Sequence, residues 1–531
     1  MSSGAEAELS AQEQSRLAEI AASPLQALRQ FQDIERKFKA LQFVLAKLEE
    51  DRRLDRARRF GASSEAGDHQ ANLFDEAEQH ISEVDDVVDE SSTIEVAAHT
   101  KRRPKRKPLP ADLPRVDIHH DLDPADKVCG CCGDEMHVIG EKTSEQLDVI
   151  PTQVYVRVNH RKTYSCRQCD ESIKTAALPP QPIPKSYASA GLLAHVAVAK
   201  YADGLPLYRQ SKQFDRLGIA LPRNTLANHM IKVGELITPL IAALQQHITN
   251  HDIVQMDETP VQVLKEPGKV AQSKSYMWVM KGGPPAHPAI VYHYDPSRSQ
   301  SVPEHLLDGY KGYLQTDGYA GYNSILSHDG ITGLGCWAHV RRKFKDAQKA
   351  LPKKDQSKGN KLTQALAFIG KLYQLERAIK DEPHDIKRQR RQADAAATLT
   401  KFKAWLDKQS VPPQTLLGKA ITYTQSQWPR LIVYLEDGRL NIDNNLVENA
   451  IRPFAIGRKN WLFSDTQSGA HASANLYSLI ETAKANGIND YAYLKYVFAE
   501  LPNARSNDEV IELLPWRVDR EVIDHQLIKP T

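Results

Sequence analysis

Three acidic residues far apart in the chain, Asp257, Asp317 and Glu448, stand where a divalent-cation site for phosphoryl transfer needs carboxylates. Asp257 follows Ile253-Val254-Gln255-Met256, an apolar-rich run that reads as a buried strand. Asp317 closes a second such run, Gly312-Tyr313-Leu314-Gln315-Thr316, and the turn residue Gly318 comes directly after it. Glu448 lies in a segment where Leu446, Val447, Ala450 and Ile451 recur with a helical period. Two strand-end carboxylates facing one helical carboxylate can hold a pair of divalent cations, and such a pair stabilises the attacking and leaving oxygens of an in-line displacement at phosphorus. Carboxylate oxygens suit Mg2+, with Mn2+ as the alternative.

Each acid also has an ordinary explanation. Asp257 precedes Glu258-Thr259-Pro260, and strand-end aspartates often cap turns. Asp317-Gly318 is a common turn pair, and Glu448 fits a capping box as the N3 acid behind Asn445. Taken together, the three acids follow one strand, strand, helix order. Polar residues that could meet DNA surround them: Arg298, His339, Arg341, Arg342, Arg452, Arg458, Lys459 and Trp461.

Other stretches of the sequence point toward nucleic acid. The 531-residue chain carries a formal net charge of only +2, yet the charge is segregated. The stretch from Asp75 to Glu90 is acidic, whereas Lys101, Arg102, Arg103, Lys105, Arg106 and Lys107 form an almost purely basic run around Pro104. Together they read as a linker with little apolar content. The basic run is either a solvated tail or an arm that adds salt-dependent, sequence-independent affinity for DNA phosphates.

Four of the six cysteines fall in two C-x-x-C pairs, Cys129/Cys132 and Cys166/Cys169, with Cys131 as a spare. That spacing predicts one tetrahedral zinc with no open position, and hence a structural role. Unligated core thiols or a redox pair are the alternatives. The alternation from Gln153 to Val158 predicts a strand returning the chain between the two pairs.

Upstream, Phe31, Ile34, Phe38, Leu41, Leu45 and Leu48 alternate spacings of three and four. This seam is either an amphipathic helix packed on its own domain or a short self-associating coiled coil. Downstream, an apolar helical face of Leu207, Phe214 and Leu217 precedes the breaker Gly218, and a second helix is expected to begin near Asn224-Thr225. It would turn Leu226, Met230 and Val233 inward and leave Arg223, Asn228, His229 and Lys232 outward. That arrangement is a helix-turn-helix candidate or an ordinary helix pair. No apolar run approaches a membrane span and no signal pattern is present, so a cytoplasmic, nucleoid-associated location is expected.

Longer motifs carry a resemblance. The run from Gly335 to Phe344 (GCWAHVRRKF) and the run from Asp443 through Trp461 are similar to motifs of the bacterial insertion-sequence-sixty-six transposases. So are Met256-Asp257-Glu258-Thr259, Thr316-Asp317-Gly318-Tyr319, the Phe60–Glu65 segment and the paired cysteines. The resemblance runs from about Leu41 to the C-terminal tail. It implies an acidic-triad enzyme with an α/β ribonuclease-H-like catalytic core, with Asp257, Asp317 and Glu448 as metal ligands. It also implies a zipper-like helix, a zinc module, a helical insertion before the last acid, and two small accessory proteins encoded by the same element.

The expected architecture is therefore multidomain and mixed. A helical coiled-coil arm spans 1–60, a linker 61–114, a zinc-binding β module 115–180 and a helix-turn-helix-like segment 181–248. The catalytic core spans 249–346 and 431–485 around a helical insertion at 347–430, and a helical tail spans 486–531. Within the insertion, the Lys387–Arg391 run offers a basic face that could clamp DNA. Pro453 would kink the helix of Glu448 or make it irregular. Arg452 would meet DNA phosphate or pair with Glu448 at i,i+4. His339 would position DNA or water, or be a buried structural residue beside Trp337.

The expected reaction is cleavage at element ends to expose a 3′-hydroxyl, followed by attack of that hydroxyl on target DNA, in a homo-oligomer on double-stranded DNA. A metal-dependent nuclease without joining activity and a non-catalytic zinc-containing DNA-binding regulator are the competing readings. A glycosidase using paired carboxylates leaves the basic run and the cysteines unexplained.

Overall fold

The structure is a computed structural model and describes Ser15 and residues 24–60, 131, 154–165, 173–351 and 360–526. It divides into two compact units, one formed by residues 1–88 and 180–531, the other by residues 89–179. In the smaller unit, β1 (Thr163–Ser165) and β2 (Ile173–Thr175) pair antiparallel, with Tyr164 opposite Lys174. Of the strand expected over Gln153–Val158, Gln153 lies outside the described residues and the rest does not form a strand: residues 154–162 carry no regular structure, and Val154, Tyr155, Val156 and Val158 are exposed. With both faces in water, alternation alone lacks the buried surface that fixes a strand.

The larger unit begins with α1 (Pro24–Phe60). Four helices then lead into the sheet: α2 (Ala190–Tyr201), α3 (Leu207–Arg216), α4 (Arg223–Leu236) and α5 (Thr238–Thr249). Along α4, Leu226, Met230 and Val233 are buried, and Arg223, Asn228 and Lys232 are exposed. His229, expected outward, is buried instead, with Nε2 3.4 Å from Ser186 Oγ. Leu217, expected on the apolar face, is exposed just beyond the end of α3.

The sheet is built from β3 (Ile253–Lys265), β4 (Lys274–Gly282), β5 (Ala289–Asp295), β6 (Gly312–Gln315) and β7 (Ile331–Leu334). Their spatial order is β5-β4-β3-β6-β7. Strands β3, β4 and β5 form an antiparallel meander, whereas β6 and β7 run parallel to β3. The short α6 (Ser301–Leu306) precedes β6.

After β7 come α7 (Trp337–Lys349), α8 (Lys361–Ala378), α9 (His384–Arg390), a π-helical segment Arg391–Ala395, α10 (Ala396–Asp407) and α11 (Leu416–Leu431). They enclose a core of their own around Trp337, Phe344, Ile369 and Phe402. Arg391, expected on a basic outer face, is buried. It pairs with Glu376 at 2.7 Å and donates to the carbonyls of Tyr434 and Asp437, both at 3.0 Å. Arg388 and Arg390 remain exposed.

The chain then returns to the sheet through α12 (Asn445–Trp461), β8 (Ser464–Thr466) and α13 (Gln467–Ala485). Pro453 lies inside α12, which remains helical on both sides of it. Strand β8 pairs with the far end of β3, Val263 opposite Ser464. Helix α13 covers the β5 edge, which would otherwise present free backbone groups. Ser478 Oγ accepts from Tyr292 N at 2.7 Å and Thr482 Oγ1 accepts from Ile290 N at 3.0 Å, so two hydroxyls at i,i+4 replace a neighbouring strand. The tail adds α14 (Asp490–Glu500), α15 (Asn507–Ile511) and α16 (Arg520–His525). Among the described residues no helix is long and apolar enough to cross a membrane.

Candidate active site

Register places the first two acids. In the parallel β3–β6 pair, Gln255 lies opposite Gln315, and their side-chain amides meet at 2.6 Å. Asp257 and Asp317 stand two residues further along the same two paths, so the strand period of two turns both toward the face those glutamines share. Strand β3 runs on to Lys265, so Asp257 sits within a strand and not at a turn. Asp317 lies just past β6, where Gly318 adopts φ +84° and a Cβ would collide with Gln427 of α11. Tyr423, also on α11, donates to the Asp317 carbonyl.

The third acid arrives on α12. Its N-cap is Asn444, with no side-chain capping bond, so the capping box anticipated behind Asn445 is absent. Asn444 instead ties the helix start to the sheet: its Nδ2 donates to Met256 O at 3.1 Å, and its backbone N donates to Cys336 Sγ at 3.3 Å. Asp443 accepts from Tyr373 OH at 2.8 Å. With the capping role gone, the Glu448 carboxylate, 2% exposed, turns inward, and Arg342 Nη2 lies 3.2 Å from Oε2.

The three acids are close enough to repel one another. Asp257 is pushed well above the usual carboxylate range, first by burial and then by Asp317, Glu258 and Glu448. Burial likewise raises Asp317, and this is partly offset by the Tyr319 amide, Arg298, Lys343 and Arg342. Glu448 is raised to about 7, chiefly by burial and against the pull of Arg342. Crowded buried carboxylates that strain to ionise are what a multivalent cation relieves.

Sequence reasoning missed a fourth buried acid, Glu258. Burial and Asp317 raise it; Tyr322, donating at 2.6 Å, and Arg298, at 2.7 Å, restrain it. Arg298 also stacks 3.7 Å from the centre of the Tyr319 ring, and Tyr319 N donates to Asp317 Oδ1 at 2.8 Å. Adjacency to Asp257 is the only sequence signal for Glu258. Its partners are 40 and 64 residues away.

Several residues considered for DNA contact face inward. Arg298 and Arg342 hold acids, and Arg341 is buried beside Tyr373. Arg458 donates to Thr259 Oγ1 at 3.2 Å and to the Pro260 carbonyl, fastening α12 to β3. Arg452 is half-buried and Lys459 exposed on the same helix. His339 is half-buried on α7, its side chain 18% exposed, with Nε2 3.2 Å from Arg342 Nη1. Burial, with Arg342 and Lys343 nearby, holds it down to about 3, so its ring is neutral at pH 7. Lys101, Arg102, Arg103, Lys105, Arg106, Lys107, Cys129, Cys132, Cys166 and Cys169 lie outside the described residues.

Comparison with known proteins gives a consistent result. Residues 185–472 match the family described as "Transposase IS66 family", and residues 478–516 its "IS66 C-terminal element". Residues 126–170 match a "zinc-finger binding domain of transposase IS66", and residues 47–118 match "Transposase C of IS166 homeodomain". Among similar proteins, "Uncharacterized protein y4jD" of Sinorhizobium fredii (strain NBRC 101917 / NGR234) is 34% identical, over 77% of this chain and 81% of its own. From the same organism, "Uncharacterized protein y4qI" is 31% identical over 85% of this chain and 84% of its own, and "Uncharacterized protein y4hP" 29% identical over 85% of each.

Proposed function

Since the chain belongs to the IS66 family of transposases, we propose that it cleaves the ends of an insertion sequence and joins the exposed 3′-hydroxyl to target DNA at Asp257, Asp317 and Glu448. The observation that carries this reading is the β3–β6 register, which sets Asp257 and Asp317 each two residues beyond the Gln255–Gln315 pair, with Glu448 buried close enough to raise Asp257. The sheet order, with the acid-bearing β3 central, antiparallel on one side and parallel on the other, supports a ribonuclease-H-like core.

The residues fit two divalent cations of the Mg2+ or Mn2+ class. The donors of the triad are carboxylate oxygens, mutually destabilised, and Glu448 Oε1 is buried with no hydrogen-bond partner. Asp257, Asp317 and Glu448 would hold them, and the bound ions would supply electrostatic stabilisation at phosphorus and acidify water. The protein's part is preorganisation. Tyr319 N orients Asp317, Arg298 and Tyr322 hold Glu258 at the pocket wall, and Arg342 fixes Glu448. Neutral His339 adds no charge beside them. Helix α11 lies over the Asp317 turn and limits water on that side.

DNA would be held by Arg223, Asn228 and Lys232 on the exposed side of α4, by Arg452 and Lys459 on α12, and by the basic run Lys101–Lys107. Cys129, Cys132, Cys166 and Cys169 would close a structural zinc site within the matched zinc-finger region. The exposed seam of α1 would pair two copies, and accessory proteins of the element would complete the assembly.

The test uses synthetic element ends with Mg2+. Asp257→Asn, Asp317→Asn and Glu448→Gln should each abolish cleavage and joining while end binding survives. A pre-cut end with a free 3′-hydroxyl should be inserted by wild type alone, which separates joining from simple nuclease action. An Asp257→Asn protein that joined ends to target would refute the proposal.

A further inference from the structure

The two oxygens of Glu448 face different chemistry. Oε2 lies 3.2 Å from Arg342, while Oε1 is buried, makes no hydrogen bond and faces His339 Nδ1 at 3.4 Å. That nitrogen is also buried without a hydrogen-bond partner. Cys336 completes the group: a sulfur, an imidazole nitrogen and a carboxylate oxygen all lie within 4.8 Å of one another. Bound to zinc at about 2.0–2.3 Å, three such atoms would stand about 3.3–3.8 Å apart, so shifts of about an ångström would close the shell.

The fold brings the three together at two helix starts. Cys336 is the N-cap residue of α7 and His339 lies in its first turn, while Glu448 lies near the start of α12. The bond from Asn444 N to Cys336 Sγ pins one start to the other. A plain packing role accounts for Cys336, which is buried and already accepts that bond. It does not account for the Nδ1–H of His339 and Oε1 of Glu448, which are buried and face each other at 3.4 Å yet form no hydrogen bond, where buried polar atoms ordinarily have a partner.

We propose that Cys336, His339 and Glu448 bind a zinc-class ion, and that this ion competes with the acid pocket for Glu448. A thiolate and an imidazole favour a borderline ion over magnesium, so the two sites differ in the metal they accept while sharing one ligand. Three protein ligands leave one position for water or a phosphate oxygen. Competition rests on the proposed role of Asp257, Asp317 and Glu448; the zinc-class site does not.

Binding would also move Arg342. A guanidinium only donates, so with Nη1 3.2 Å from His339 Nε2 that nitrogen accepts, and Nδ1 carries the hydrogen. An ion on Nδ1 takes the place of that hydrogen, the neutral ring then carries its proton on Nε2, and Arg342 has to release the ring. The thiol proton of Cys336 passes to solvent as the ion binds.

The test uses the full chain loaded with one equivalent of zinc, which fills the four-cysteine module, and then titrated with Co2+. Wild type should develop a near-ultraviolet thiolate-to-cobalt band that Cys336→Ser lacks. In His339→Gln, a milder change at a partly exposed residue, half-saturation should move to at least ~10-fold higher Co2+, at or beyond the effect of losing an outer-shell partner. A wild type without the band, or a His339→Gln titration that overlays it, overturns the site, even if Cys336→Ser fails to fold. In end cleavage, Zn2+ at filling concentration should raise the Mg2+ requirement ~10-fold for wild type and much less for His339→Gln. A cobalt band with no such shift keeps the site and overturns the competition. A failed triad is read separately, from joining by Asp257→Asn.

Discussion

Arg342 Nη2 lies 3.2 Å from Glu448 Oε2 across 106 residues of sequence, and the guanidinium stands where a positive charge is needed to hold a buried carboxylate. This pair joins α7 to α12 and closes the insertion back onto the sheet. Arg342 pairs with Glu448 and lowers its carboxyl, and so partly does the neutralising that divalent ions would do.

Removing that cation should therefore matter most when no other is present. Arg342→Ala is expected to lower stability by about 1–3 kcal/mol in metal-free buffer, the scale for losing a charged partner of a buried group. Saturating Mg2+ should recover a large part of the deficit. Thermal unfolding of wild type and variant with and without Mg2+ measures both. An equal deficit in the two buffers would mean that Arg342 acts through its other contacts, that to His339 among them, and not by neutralising Glu448.

Glu448 also carries a pH signature. Its carboxyl is raised to about 7 in the folded chain, against about 4.3 when unfolded. Between those values the folded state binds more protons than the unfolded state, so this group's contribution falls as pH rises and levels off above 7. The loss amounts to up to about 4 kcal/mol at 1.36 kcal/mol per pKa unit. Half-buried histidines such as His195 and His293, held low by desolvation, pull the whole-protein profile the other way. The informative quantity is thus the difference between Glu448→Gln and wild type. In ion-free buffer the variant should gain relative stability from pH 5 to 8. A difference that stays flat across that range would contradict the assignment.

How much of this was legible in the chain depended on whether a pattern was local. Asp257 and Asp317 stood out because each follows an apolar run, and the helices of the insertion because their apolar positions recur every three or four residues. The offset that sets Gln255 opposite Gln315 is a pairing property that no single strand displays. The partners of Glu448 and Glu258 were invisible for the same reason, and Arg298 and Arg342 therefore read as DNA contacts. Arg391 misled more simply: a basic run has no marked inner side until Glu376 and two carbonyls claim one member.

The exposed side of α4 makes an electrostatic prediction. Arg223, Asn228 and Lys232 share solvent-facing positions while Leu226, Met230 and Val233 fill the core, so replacing the polar set leaves packing intact. If Lys232 meets phosphate, Lys232→Ala should weaken binding to all DNA sequences about equally. It should also reduce the slope of log affinity against log salt by about one. Fluorescence anisotropy over a salt series reads both. An unchanged slope would remove Lys232 from the interface.

The last prediction concerns α1, where Phe31, Ile34, Phe38, Leu41, Leu45 and Leu48 are all exposed in the single chain, Leu41 by 71%. A seam of that length in water favours burial against a second copy, at roughly 25 cal/mol per Å2 of apolar surface removed. The helix reaches its own unit near its C-terminal end, where Arg53 Nε donates to Ala350 O at 2.8 Å and Leu54 is buried. The seam residues therefore contribute little to folding of the single chain. Leu41→Asp combined with Leu48→Asp should shift the sedimenting species toward monomer at micromolar concentration and leave the melting of the larger unit unchanged. A double variant that still sediments as a dimer would place the contact elsewhere, and one that unfolds would show the seam packed on its own chain.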